Sequence, residues 1–300
     1  MLYALCPLLT REESCMTAKN KDIVIVGIGL MGASLALALR KAYRSYRIVG
    51  LLRNRAKIAK AKKQGFIDWG TTSAQKAFAH AHLIVIATPV GSIPAHLAAA
   101  EQYAPCGTVV TDMGSTKEKL IAWAEKVRLE NIRYVGSHPL AGSHKSGMDA
   151  AVKGLYKNAV CFVTPTTATD DAACKEVIQL WRRVGAQVVI VPAAFHDTLL
   201  AATSHVPHLV AFAMMGTLMR TMPEAFASVG SGFKDMTRLA ASHSALWYDI
   251  FLSNRRNVIR STQQLIGELR YLMRMLGRND KKRLIAYFEQ MKEKREAIDK

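Results

Sequence analysis

Short apolar runs, each closed by turn residues, punctuate the first two thirds of the chain. Residues 22–27 (Asp-Ile-Val-Ile-Val-Gly) read as a strand buried on both faces of a parallel sheet, marked by the apolar run Ile23–Val26. Similar runs predict strands over 47–52, 83–88, 108–112, 133–136, 159–163 and 187–191, with Pro89 closing the third of these seven. Between them, helical periodicity predicts helices over 31–41, 116–128 and 171–184. This alternation implies an open, mostly parallel sheet covered by helices on both faces, a doubly wound α/β architecture.

The strand signal ends near Val191-Pro192, and the pattern beyond is helical. A long apolar helix over 196–220 carries Pro207 and is expected to kink there. A break at Gly230-Ser231-Gly232 and a short helix through Arg238 follow, then a long helix over 244–276 ended by Gly277. Leu265, Leu269, Leu272 and Leu276 recur at helical spacing as a packing seam, either within the chain or, as two such helices would allow, in a homodimer interface. Asn279 or Asp280 is placed to cap a final charged helix.

Composition narrows the class. The chain has 300 residues, half of them apolar, enough for one large or two modest cores. No unbroken apolar run reaches the ~18 residues of a membrane span, so no membrane segment is expected. The first nine residues lack a basic flank and are followed by Arg11-Glu12-Glu13, a poor secretory signal; a cytoplasmic location is the default. Five scattered cysteines (Cys6, Cys15, Cys106, Cys161, Cys174) contain no C-x-x-C pair, so neither a disulfide framework nor a metal site is expected. The formal charge of +18 raises nucleic acid as a partner, but the bases are interleaved with acids in helices and no aromatic platform accompanies them. A solvated basic surface that draws in an anionic substrate or cofactor is the preferred reading.

Gly27-Ile28-Gly29-Leu30-Met31-Gly32 follows the first strand and opens a helix, the context of a dinucleotide-binding turn. Gly27 would allow the tight turn, Gly29 the approach of a pyrophosphate, and Gly32 close packing of helix on strand, with phosphates at the helix N-terminus over Leu30 and Met31. The sheet is therefore read as a Rossmann-type fold. The expected domains are an extension over 1–19, a dinucleotide-binding domain over 20–192 and an all-α substrate and dimerisation domain over 193–300. About twenty residues after the turn, an NAD site would offer a carboxylate to the ribose hydroxyls. Here Arg53-Asn54-Arg55 stands instead, and two guanidinium groups suit the 2′-phosphate of NADP, with NAD as the alternative cofactor.

Asp112-Met113-Gly114-Ser115-Thr116-Lys117 closes a strand and starts a helix, where open α/β sheets bind ligands. Ser115 can reach a bound nicotinamide there; equally, Ser115 or Thr116 can merely cap the helix. His138 follows its strand directly and suits a base that receives a hydroxyl proton, or a structural histidine closing a loop. His205 and His208 lie three residues apart on one helix face, without the carboxylates a metal site would use.

Together these stretches resemble the prephenate/arogenate dehydrogenase family of tyrosine biosynthesis, over roughly residues 20–278. The matching segments are the glycine turn, 112–117, 137–147, 196–208, Gly232-Phe233-Lys234-Asp235-Met236-Thr237-Arg238, and Trp247-Tyr248-Asp249-Ile250-Phe251 followed by Asn254-Arg255. The resemblance implies oxidative decarboxylation of prephenate, of arogenate or of both, by a homodimer. It implies that His138 takes the ring hydroxyl proton, that Ser115 orients that hydroxyl, and that His205 and Arg238 contact substrate. Two departures from the family pattern stand out: Ser143-His144 in place of a Thr-Glu pair, and Tyr248 in place of an arginine. A β-hydroxyacid dehydrogenase and a non-catalytic NADP-binding protein are the rival readings.

Overall fold

The computed structural model describes residues 21–142 and 146–298. The eight strands are β1 (Asp22–Val26), β2 (Arg47–Leu51), β3 (Trp69–Thr71), β4 (Ala81–Ile86), β5 (Val109–Asp112), β6 (Arg133–Pro139), β7 (Val160–Thr164) and β8 (Gln187–Ile190). Six helices lie among them: α1 (Leu30–Ala42), α2 (Arg55–Lys63), α3 (Ala74–Phe78), α4 (Ile93–Tyr103), α5 (Glu118–Val127) and α6 (Asp171–Arg183). The sheet order is β3-β2-β1-β4-β5-β6-β7-β8, and every pairing is parallel except β6 with β7. The chain crosses over between β1 and β4, creating the switch point where open α/β sheets bind nucleotides.

All five residues of β1 are buried because helices cover both sheet faces. One core packs α1, α2 and α6 against Ile23, Ile25, Leu83 and Val163; the other packs α3, α4 and α5 against Val24, Val26, Ile84 and Val110. Asp22, 2% exposed, is admitted because Arg47 donates two hydrogen bonds to its carboxylate, at 2.9 and 2.6 Å. Strand β3 escaped the sequence reading; its three residues are half-buried at the sheet edge and make no apolar run.

The helical part contains α7 (Ala193–Leu200), a π-helical turn Ala201–His205, α8 (Val206–Thr221), α9 (Ser231–Thr237), α10 (Ser244–Ser253), α11 (Arg255–Gly277) and α12 (Lys281–Glu296). Two expectations change. The irregularity ascribed to Pro207 is a π-helical turn just before it, and Pro207 then occupies the first turn of α8, where its missing N–H costs little. The helix expected over 244–276 is broken at Asn254, whose side chain is drawn into hydrogen bonds rather than left along a continuous helix. Asp280 caps α12 through the Arg283 N–H.

The segment Ala193–Thr221 is also long and apolar enough to cross a membrane by length and composition. Uncharged polar residues such as Thr203, Ser204 and His208 interrupt its apolar run without adding charge. Two compact units result: the described residues up to Asp197 with Ala241–Ser253, and Thr198–Ala240 with the residues from Asn254 onward. Thus α10, read from sequence as part of the helical domain, groups with the sheet.

The glycine turn has its own steric logic. Gly27 sits at φ +89°, in the left-handed region, and a Cβ on Gly32 would lie 2.0 Å from the Gly27 carbonyl oxygen. Gly32→Ala should therefore force α1 off β1 and destabilise the protein by ~1–3 kcal/mol. A melting temperature equal to wild type would contradict this close packing.

Candidate active site

The carboxyl ends of β5 and β6 meet in a buried polar network. Asp112, 0% exposed, accepts from Tyr134 OH at 2.8 Å and the Ser137 N–H at 3.2 Å through Oδ1, and from the Gly114 N–H at 2.7 Å through Oδ2. The equally buried Lys117 ammonium pairs with the same carboxylate. Ser137 Oγ donates to the Asp112 carbonyl at 2.7 Å and accepts from Trp181 Nε1 at 2.9 Å. A buried ion pair survives only when its remaining hydrogen-bonding capacity is met, and these partners meet it. Burial, then the adjacent Asp112 charge, holds the Tyr134 hydroxyl well above its ordinary pKa. The loop that carries Ser115 is thereby clamped at both ends.

Ser115 is half-buried, and among the described residues its hydroxyl has no hydrogen-bond partner. The capping alternative for this segment fails. Helix α5 begins at Glu118, and its N–H groups are capped by a distant carboxylate: Asp197 accepts from Lys117 N at 2.8 Å and Glu118 N at 3.0 Å. Thr116 is instead bonded to Ser253 of α10, at 2.7 Å.

Asp197 also anchors the histidine of β6. Its Oδ1 lies 2.8 Å from His196 Nδ1, and His196 Nε2 lies 2.9 Å from His138 Nδ1. His196 is fully buried, with the edge of the Phe162 ring against it. Burial lowers the His196 pKa below its ordinary 6.5, partly opposed by Asp197 and reinforced by the Lys117 charge. A carboxylate only accepts, so neutral His196 carries its proton on Nδ1 and presents Nε2 as acceptor. His138 then donates from Nδ1, so in its neutral ring Nε2 is the acceptor nitrogen. Sequence reasoning missed His196 and Asp197 as members of the site. The adjacent His-Asp pair was visible, but its partners lie 58 and 80 residues away.

At the cofactor end, Gly29 is the N-cap of α1 and faces open space; no side chain caps the helix, and its first turn has no acidic residue. The amides of Leu30, Met31 and Gly32 at that terminus form a cradle suited to a phosphate. The excursion after β6 is tied to this helix by Val152 N donating to Ser34 Oγ at 2.9 Å and Tyr156 OH donating to the Met31 carbonyl at 2.6 Å. Arg53 and Arg55 are exposed after β2. Asn54 between them spends its side-chain oxygen capping α2, on the Lys57 N–H at 2.9 Å. Burial and then the Arg53 charge lower the pKa of His96 on α4, which sets that ring near the arginine.

His205 and Arg238 belong to the second compact unit. His205, 1% exposed, ends the π-helical turn, and its Nδ1 lies 3.2 Å from Asn254 Nδ2. Arg238 is exposed, just beyond α9. His208 Nδ1 bonds the Ser204 carbonyl at 2.9 Å, and burial, opposed by that bond and aided by Arg238, lowers its pKa. Tyr248 is 63% exposed, whereas Ser143 and His144 lie outside the described residues, as do Cys6, Cys15 and the extension over 1–19. Among the described residues no group of three or more His, Cys, Asp or Glu side chains could hold a metal ion. Burial raises the Cys161 thiol pKa far above its ordinary value, which removes it as a nucleophile.

Residues 35–190 match the family model for the prephenate dehydrogenase nucleotide-binding domain, and residues 192–290 match that for the prephenate dehydrogenase dimerization domain. The chain belongs to the prephenate dehydrogenase family. Prephenate dehydrogenase of Bacillus subtilis is 32% identical over 94% of this chain and 77% of its own length. Cyclohexadienyl dehydrogenase of Zymomonas mobilis is 31% identical over 93% of this chain and 96% of its own. The crystal structure of Aquifex aeolicus prephenate dehydrogenase, in complex with hydroxyphenyl propionate and NAD+, superposes with a TM-score of 0.88 at 34% identity, covering 94% of this chain and 100% of that one. The Rossmann-type sheet followed by a helical domain is the architecture of the prephenate dehydrogenases.

Three buried or half-buried rings of this family member, His96, His196 and His208, have pKa values below the ordinary 6.5. Above that pH both folded and unfolded states hold these rings neutral. As pH falls through the unfolded value of 6.5, the unfolded chain takes up protons that the folded rings refuse, so stability is lost on acidification. Thermal denaturation should give a melting temperature that declines from about pH 7 to about pH 5. A flat or rising profile over that range would disprove the assignment.

Proposed function

We propose that this chain is an NAD(P)-dependent dehydrogenase that converts prephenate to 4-hydroxyphenylpyruvate by oxidative decarboxylation, with His138 as the proton acceptor. The observation that carries the reading is the Asp197–His196–His138 chain of hydrogen bonds. It makes Nε2 the acceptor nitrogen of a neutral His138 ring near the end of β6, in a chain of the prephenate dehydrogenase family. His138 takes the proton of the ring hydroxyl, and Ser115 orients that hydroxyl. A nicotinamide cofactor, when bound, supplies the hydride acceptor. The ring then loses its carboxylate as carbon dioxide and becomes aromatic, which drives the reaction without a further cofactor. Arg238 binds a substrate carboxylate, and His205 makes a second substrate contact.

The α1 cradle suits a dinucleotide, and Gly27, Gly29, Leu30, Met31 and Gly32 would hold its pyrophosphate. Arg53 and Arg55 favour NADP over NAD because guanidinium groups pair well with a 2′-phosphate. Asn54 is retained for its amide N–H groups alone. The likeness to a cyclohexadienyl dehydrogenase favours dual use of prephenate and arogenate as the second reading. The cytoplasmic location expected from composition belongs to the same proposal.

A homodimer accounts for apolar surface that one chain leaves bare. Met219, Leu269, Met273 and Leu276 are 50–67% exposed. Burying such residues against a second copy is worth about 25 cal/mol per Å² of apolar surface, and the second matched family model is a dimerization domain. Sedimentation equilibrium should return twice the chain mass without detergent, and Leu269→Glu should weaken the dimer. A monomer at all concentrations, or partition into membranes, would refute this.

Catalysis is tested by following nicotinamide reduction with prephenate and arogenate, each with NAD and NADP. We expect turnover with prephenate and a higher kcat/KM with NADP. His138→Asn should lower kcat by ~10²–10⁴-fold with little change in KM, and His196→Phe by a smaller factor of about 10–100. Absence of reduction in every pairing overturns the function; a clear NAD preference overturns the cofactor choice alone.

A further inference from the structure

A buried tyrosine holds the first turn of α1 from outside the helix. The first N–H of α1 to find an acceptor is that of Ala33, on Gly29 O at 2.9 Å; among the described residues those of Leu30, Met31 and Gly32 find none. Such uncommitted donors belong to any helix N-terminus. The Met31 carbonyl is different. A carbonyl oxygen has two lone pairs and the helix uses one, and here Tyr156 OH donates to the other at 2.6 Å. Tyr156 stands in the excursion between β6 and β7.

The tyrosine is itself fixed. It is 0% exposed, and its ring packs edge-on against Trp181 at 5.5 Å between centroids. Trp181 is equally buried and is held by its bond to Ser137 Oγ, next to His138. Earlier in the same excursion, Val152 is pinned to α1 through the buried Ser34 hydroxyl. Burial, then the adjacent Cys161, raises the Tyr156 hydroxyl pKa far above its ordinary value, so the group stays a donor throughout the neutral range.

A peptide unit is planar, so whatever holds the Met31 carbonyl oxygen also holds the Gly32 N–H on the opposite side of that unit. In a helix this N–H points out of the N-terminal end. Donation to the oxygen also polarises the unit and strengthens the N–H as a donor. We propose that Tyr156 is a positioning residue for the cofactor: its hydroxyl fixes and polarises the Met31–Gly32 peptide, whose N–H binds the pyrophosphate. Tyr156 acts through the peptide and does not touch the cofactor. A buried hydroxyl needs some acceptor. Taking one whose own peptide carries an uncommitted N–H is what gives this bond a consequence for binding. The inference rests on the reading of the α1 cradle as the pyrophosphate site.

The test compares the full-length enzyme with Tyr156→Phe, which keeps the ring against Trp181 and removes only the hydroxyl. Isothermal titration calorimetry is run with NADP and NAD, and with adenosine 2′-phosphate and adenosine, which lack the pyrophosphate. The dissociation constant of the dinucleotide should rise by about three- to tenfold, as for the loss of one hydrogen bond, while the fragments bind as before. Equal losses for dinucleotide and fragment would show a merely structural hydroxyl and overturn the proposal, as would no loss at all. A second measurement needs no change at Tyr156. Labelling with ¹³C-carbonyl methionine and ¹⁵N-glycine selects the Met–Gly peptides at 31–32, 113–114 and 215–216, and Met113→Leu and Met215→Leu assign them. The Gly32 amide proton should move downfield on adding the dinucleotide and stay in place with the fragments. A Gly32 amide that ignores the dinucleotide overturns the proposal. The cofactor reading fails separately, and takes the proposal with it, if the unsubstituted enzyme binds neither NADP nor NAD.

Discussion

The Asp197 carboxylate is the point on which the site in the sheet unit depends. It accepts the N–H groups of Lys117 and Glu118, the N-cap and first residue of α5, and the Nδ1 proton of His196, all within 3.0 Å. Those three donors come from a helix terminus and a buried ring, both of which need an acceptor once they are withdrawn from water. Remove the negative charge, and the positive end of the α5 dipole loses its counterpart while His196 loses the partner that selects its tautomer. His138 would then have no fixed direction for its own Nδ1 proton. One carboxylate thus couples the start of a helix to the basicity of a ring 5.1 Å away from His196, centroid to centroid.

The buried Lys117–Asp112 pair does complementary work nearby. Lys117 opposes protonation of His196, while Asp112 gathers donors from the β5 loop and from β6. Isolated, such a pair contributes little net stability after desolvation. Its value lies in geometry. Gly114 has no room for a side chain because Asp112 Oδ2 and Ile93 Cδ1 would both lie 2.8 Å from a Cβ. Ser115 therefore projects from a backbone that cannot relax, the condition under which a hydroxyl can orient a substrate without entropic loss.

Much of this was legible in the chain. Central strands buried on both faces are legible as apolar runs, and so is the exposed edge strand β8; β3 is not, because its three half-buried residues, Trp-Gly-Thr, make no such run. The glycine turn was legible because steric demands at φ +89° and at a 2.0 Å approach leave no other residue type. The hydrogen-bond chains were not. Asp197 is separated from its helix by 80 residues, and Asn254 from His205 by 49, so local spacing has no trace of either. The break at Asn254 was hidden for a related reason: neither Gly nor Pro marks it, and its cause is a tertiary hydrogen bond that outweighs helix propensity. The resemblance to a family pointed to His138, Ser115, His205 and Arg238, but it is silent on tautomers.

The two histidines differ in the sign of the group that ends each chain. On His138 the terminus is a carboxylate, which can only accept, so every proton in that chain points toward Asp197 and Nε2 is the acceptor nitrogen of the neutral His138 ring. On His205 the terminus is a guanidinium, which can only donate, so Asn257 and Asn254 each turn an amide N–H away from Arg260 and His205 Nδ1 accepts. Opposite termini produce opposite tautomers from the same side chain, without any shift in intrinsic pKa being required.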